Sequence, residues 1–111
     1  MKIIYNNILP FKGYIAINIC GILFARRECK PLVDWMINHE RIHTRQIMEL
    51  FVVFFYLWYV IEWIIGVIRY RDKKQAYLNI SFEREAYKNQ FNLDYLKQRK
   101  PYSFTNKEKH P

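Results

Sequence analysis

The sequence predicts an α+β fold from three observations: short β-prone runs broken by proline and glycine at the start, an amphipathic helical pattern after them, and a nearly uncharged apolar stretch followed by polar helical sequence. A chain of 111 residues has the length of one domain, whose core is necessarily small. Even so, 51% of the residues are hydrophobic and 18% aromatic, while mean hydropathy is slightly negative. Apolar and polar residues are therefore segregated along the chain.

Residues 3–9, 14–19 and 22–25 are the β-prone runs, and Pro10, Gly13 and Gly21 punctuate them as turns. They predict a small β-hairpin or three-stranded sheet. Asn6, Asn7, Pro10, Lys12 and Asn18 interrupt any signal-peptide core, so the N-terminus is expected to be retained. Pro31 then sits where a helix can begin. In the helix expected over residues 32–50, Asp34, Asn38, Arg41 and Arg45 form a polar stripe at about 100° per residue, while Leu32, Trp35, His39, His43 and Leu50 take a different face.

Residues 50–68 contain one charge, Glu62, and their apolar side chains surround a helix on all sides. A domain this small cannot enclose such a helix, so a bilayer or a partner is expected to cover it; a soluble core helix is the alternative. Trp58, Tyr59, Trp63 and Tyr70 suit a membrane interface, and Arg69, Arg71, Lys73 and Lys74 make a basic collar. Residues 76–99 read as two helical pieces, with Ser81 the N-cap of a helix over 82–90 and Asn92 or Asp94 opening the second. Two prolines and four charges predict a flexible tail over 100–111, with His110 solvated.

Eighteen Lys and Arg against ten Asp and Glu give a net charge of +8, which favours anionic lipid or nucleic acid as partners. There is no nucleic-acid-binding signature, and the basic residues cluster beside the apolar helix, so anionic lipid is the expected partner. Cys20 and Cys29 lack a CxxC spacing and are expected to be free thiols.

His39-Glu40-Arg41-Ile42-His43 is an HExxH motif, which chance would supply in roughly 0.5% of chains of this composition. On a helix, the four-residue spacing stacks two imidazoles able to converge on one Zn2+, with Glu40 on their flank as general base. Two histidines alone hold zinc weakly, and Glu83 is the best third ligand. In the segment Ser81-Phe82-Glu83-Arg84-Glu85-Ala86-Tyr87, Glu83 shares a helix face with Ala86, Tyr87 and Gln90, and small Ala86 permits close approach. Glu85 points about 200° away and is the weaker candidate. The plainer alternative is a pair of histidines satisfied by ordinary hydrogen bonds.

HExxH followed by Glu-x-Glu-Ala on a second helix resembles the gluzincin zinc metallopeptidases, particularly their membrane-associated forms, over roughly residues 31–87. The resemblance implies Zn2+ held by His39, His43 and Glu83, peptide-bond hydrolysis with Glu40 as base, and a peptide or protein substrate. Related members place Asp, supporting a ligand histidine, where this chain has Tyr87. Tyr77, Tyr87 and Tyr95 are available to stabilise an oxyanion, and an N-terminal edge strand could bind substrate by β-augmentation.

A single crossing of the bilayer by residues 50–68 would place Glu83 opposite the histidines. The sequence therefore sets a full span against a three-ligand site. The more specific two-motif pattern favours a helix that embeds without separating the site, with Glu62 turned to protein contacts or an interface. The expected function is a minimal, single-domain, membrane-associated metallopeptidase. The alternative is a small basic membrane protein or interaction module whose zinc site is structural or vestigial.

Overall fold

A computed structural model describes residues 1–105, and the expected solvation of His110 lies outside the described residues. The architecture is α+β. Strands β1 (Ile3–Asn6), β2 (Ala16–Ile19) and β3 (Ile22–Arg26) form a sheet of order β1-β3-β2, with β1 parallel and β2 antiparallel to β3. Ile19 pairs with Ile22 across a two-residue turn in which Cys20 and Gly21 both take positive φ, 53° and 92°. That turn matches the twist of the paired strands and needs glycine at its second position. Leu23 and Ala25 point inward and pack with Leu32, while among the described residues no strand pairs with the outer edge of β2. Both cysteines are free thiols.

Helix α1 spans Asp34–Glu49. It begins two residues later than the pattern suggested, because Leu32 is drawn into the cluster under the sheet and Val33 stays extended. Asn38, expected on the polar stripe, is buried instead. Its amide donates to the carbonyls of Asn89, Gln90 and Asn92 at 3.2, 2.8 and 3.0 Å, supplying donors that the end of a neighbouring helix lacks.

The apolar helix α2 occupies Val53–Tyr70, after a reversal at Phe51 and Val52, both with positive φ. It is long and apolar enough to cross a membrane, yet only 11% of it is buried. Phe55, Tyr56, Tyr59, Trp63 and Gly66 face inward, so Tyr59 and Trp63 serve the core rather than the interface expected of them. Helix α3 (Lys73–Leu78) is capped by Asp72, whose carboxylate accepts from the amides of Lys74 and Gln75. It turns back along α2 at a close approach, since a Cβ on Gly66 would stand 3.0 Å from Cα and Cβ of Ala76.

Helix α4 covers Ser81–Asn89 and α5 covers Tyr95–Gln98. Ser81 does not cap α4 with its own hydroxyl as expected. Glu62 of α2 takes that role, its Oε1 accepting from Ser81 N at 2.8 Å and Ser81 Oγ at 2.9 Å. The only charge between residues 50 and 68 thus finds protein partners. A short 3₁₀ turn at Ser103–Thr105 seats Phe104 among Ile47, Phe55, Ile80 and Phe82. Residues 100–105 are consequently docked rather than a free tail, because an aromatic ring gains more from the core than from water.

Replacing Gly66 by leucine is expected to push α3 from α2 and cost about 1–3 kcal/mol, read as a lower Tm in detergent. An unchanged Tm would mean that the close approach contributes nothing to stability.

Candidate metal centre

Helix periodicity places His39, Ile42, His43, Gln46 and Ile47 on the buried face of α1, and α4 packs against it with Phe82, Glu83, Glu85 and Ala86. Three donor atoms meet between them. His39 Nε2 and His43 Nε2 lie 3.2 Å apart, and Glu83 Oε1 lies 3.0 Å from the latter and 3.4 Å from the former. A tetrahedral ion with bonds of about 2.0–2.1 Å separates its ligands by about 3.3 Å, so the three atoms already have the spacing of one face of such a site.

The tautomers agree. Gln46 Nε2 donates to Phe82 O at 3.1 Å and to Glu85 Oε1 at 2.9 Å, which fixes the amide and turns Gln46 Oε1 toward His43 Nδ1 at 2.8 Å. The proton on Nδ1 leaves a lone pair on Nε2, facing Glu83. Gln90 Oε1 stands in the same relation to His39 Nδ1, at 2.8 Å. Two nitrogen lone pairs and a carboxylate oxygen cannot share one small volume without a cation among them, and a buried His-His-Glu group of this kind can hold a metal ion.

A proton can take that place when no ion does. Burial works against a charge on His43, but Glu83 overrides it and pushes His43 up to about 9. Burial likewise disfavours the Glu83 carboxylate, yet His43, His39 and Tyr59 hold it well below the usual carboxylate range. Tyr59 donates to Glu83 Oε2 at 2.7 Å, which leaves Oε1 for the histidines.

Glu40 sits beside the three donors, and burial raises its carboxyl while the imidazoles of His43 and His39 pull it back. Its carboxylate makes no hydrogen bond to the described residues and lines two adjoining cavities. One, about 250 Å³, is bounded by Ile17, Asn18, His43, Tyr56, Tyr59 and Glu83. The other, about 370 Å³, is bounded by Tyr14, Leu32, Trp35, Met36, Tyr87 and Gln90. Ala16 of edge strand β2 and Tyr77 of α3 belong to both. Asn18 ties β2 to α1 by donating to Glu40 O and Thr44 Oγ1, each at 3.0 Å.

The structure thus brings His39, His43 and Glu83 together with Glu40 beside them, and it excludes Glu85 from the group. Glu85 instead accepts from Arg99 Nε at 2.5 Å and Tyr95 Oη at 2.6 Å, and Arg99 also forms a two-pronged pair with Glu49 at 2.8 and 2.9 Å. Tyr95 is occupied there and remote from any oxyanion role. Tyr87 does not support a ligand nitrogen; its ring lies edge-on to His39 at 4.6 Å and its hydroxyl meets that of Tyr77 at 2.9 Å. Gln46, Gln90 and Tyr59 are the supporting residues that motif reading passed over. Gln46 stands one turn after His43 and Gln90 on the face of Glu83, so both were within reach of helix periodicity, whereas Tyr59 was hidden in an apolar run.

The chain doubles back beside α2 through α3 and α4. Tyr59 and Glu62, in the middle of α2, bond Glu83 and Ser81, so α2 does not separate the two halves of the group. No protein-family model, curated protein or solved structure matches the chain.

A divalent ion and the His43 proton compete for one nitrogen. Metal affinity is therefore expected to rise up to about tenfold per pH unit until pH passes about 9, as read by competition titration with Co2+. The raised pKa stabilises the metal-free fold fully below the unfolded value of about 6.5, and that contribution fades as pH rises through about 9. Chelation should accordingly lower Tm more at high pH; a pH-independent affinity would remove His43 as a ligand. Gln46→Leu should weaken metal binding by about 10–100-fold, and an unaltered affinity would show that its bond to His43 is incidental.

Proposed function

We propose that this chain is a membrane-associated zinc metallopeptidase of the gluzincin kind, and one observation carries that reading: an unbonded Glu40 carboxylate beside a buried His-His-Glu group, in a cleft flanked by the outer edge of β2. Two nitrogens and one oxygen suit Zn2+, which His39, His43 and Glu83 would hold beside the cleft. Bound zinc supplies Lewis acidity that makes water nucleophilic at neutral pH and polarises the scissile carbonyl.

The chain's own residues do the rest. The backbone of β2 pairs with an extended peptide, laying it across the two cavities. Glu40 takes a proton from the attacking water as oxygen adds to the carbonyl carbon. It delivers that proton to the amine as the C–N bond breaks. Burial raises the Glu40 carboxyl, the direction that suits a group that must return its proton as well as take it. Tyr77 borders both cavities and shares a hydroxyl–hydroxyl bond with Tyr87; with Tyr87 as the donor in that pair, the Tyr77 O–H is left to donate toward charge developing on the carbonyl oxygen.

Membrane association is supported by α2. Its outward side chains are apolar and exposed, and Arg69, Arg71, Lys73 and Lys74 follow directly.

Glu40→Gln is expected to retain one zinc per chain and lose at least about 100-fold in peptidase rate. Full activity in that variant would remove Glu40 from the chemistry, and a wild-type protein that binds no metal would remove the whole reading. Tyr77→Phe should lower kcat by about 100-fold with zinc content and KM nearly unchanged, and an effect confined to KM would make Tyr77 a substrate contact only.

A further inference from the structure

The outward face of α2 is apolar and its border is cationic. Val53, Phe54, Leu57, Val60, Ile61, Ile64, Ile65 and Ile68 are 47–73% exposed, and at helical spacing they fill an arc of about 140°. A contiguous exposed patch of this kind marks an interaction surface. Along one border, Ile65 lines a cavity of about 220 Å³ together with Arg69, Asn79 and Arg84. Arg84 also lines a neighbouring cavity of about 330 Å³ between α4 and the C-terminal segment, where Lys88, Lys100, Ser81 and Ser103 stand.

The carboxylates in these cavities are already engaged. Glu62 accepts from Ser81 and Trp58, and Glu85 accepts from Arg99, Tyr95 and Gln46. Arg69, Arg84 and Lys100 have no carboxylate partner among the described residues; Arg84 makes one long contact, 3.5 Å, to Ser81 Oγ. Cations beside neutral hydroxyl donors suit a phosphoryl group, which Arg binds through a planar fork. Free phosphate would satisfy the cavities and leave the apolar face bare. A phospholipid satisfies both.

We infer that α2 lies in the plane of an anionic phospholipid leaflet, with its apolar face among the acyl chains and Arg84 binding a lipid phosphoryl group, flanked by Arg69 and Lys100. This rests on the membrane part of the proposed function and is independent of hydrolysis. The in-plane direction follows from where the polar groups sit. Glu62, at the middle of α2, holds Ser81, and Arg84 is on the next turn of α4. A transverse α2 would carry that cluster to the centre of the hydrocarbon, where charge is most costly, whereas an in-plane α2 keeps it at headgroup level.

Flotation of the purified full chain with vesicles of phosphatidylcholine, with or without phosphatidylglycerol, tests the inference. Wild type is expected to bind the anionic vesicles more tightly, and Arg84→Gln to bind them about fivefold more weakly. Arg69→Gln and Lys100→Gln should show smaller losses, and Arg45→Gln, the same charge removed from the exposed side of α1, should show little. Ile61→Asn with Ile64→Asn should abolish binding to both vesicles. Equal binding to the two vesicles, or Arg84→Gln no weaker than Arg45→Gln, overturns the phosphoryl site and leaves membrane association standing. Inorganic phosphate that binds wild type but not Arg84→Gln, without any preference for anionic vesicles, overturns the lipid in favour of the free anion. No flotation of wild type overturns both membrane readings and leaves the metal centre untouched. Direction is read separately, from a fluorophore attached at Val53→Cys or Ile68→Cys in a cysteine-free background. Equal depths are expected, and depths on opposite sides of the bilayer overturn the in-plane placement.

Discussion

Two imidazole lone pairs and a carboxylate oxygen within 3.4 Å of one another repel unless a positive charge lies among them, and most of the polar architecture holds that arrangement in place. Gln46 and Gln90 present carbonyl oxygens to the far ring nitrogens, so the near nitrogens keep their lone pairs. Tyr59 occupies the second oxygen of Glu83. Behind Gln46 lies Glu85, which Arg99 holds while also gripping Glu49 at the end of α1. Every member of this buried network has partners, the condition under which buried polar groups specify one structure instead of destabilising it.

The same network explains how so small a chain uses so apolar a helix. The inner side of α2 carries the residues with directed contacts, among them Tyr56 to Cys20, Tyr59 to Glu83, and Glu62 to Ser81. Its outer side carries only side chains without hydrogen-bonding groups from Val53 to Ile68, apart from residues at its margins. One element thereby braces the buried His-His-Glu group on one side and offers an exposed apolar surface on the other. The antiparallel return of α3 and α4 makes this possible, and Gly66 against Ala76 sets how closely that return runs.

Local patterns made much of this legible. The turn at Cys20 and Gly21, the HExxH spacing on α1 and the shared face of Glu83 and Gln90 are relations within a few residues, governed by periods of two and 3.6. Where local pattern and structure part, the cause is the same: Asn38, Tyr59, Ser81 and the segment around Phe104 are each determined by residues distant in sequence. Asn38 has charged neighbours in the sequence but answers the carbonyls ending α4, and Ser81 has the local pattern of an N-cap but receives its cap from Glu62 of another helix.

The sequence by itself determined the α+β class, the donor atoms and their order along the chain, because donor chemistry and helical spacing are properties of residue type and position. Only the tertiary structure decided that Glu83, forty residues after His43, returns to within 3.0 Å of it, that Glu85 anchors rather than ligates, and that α2 has two different faces. These depend on how the chain reverses at Phe51 and Arg71, and no local periodicity encodes which surfaces then meet.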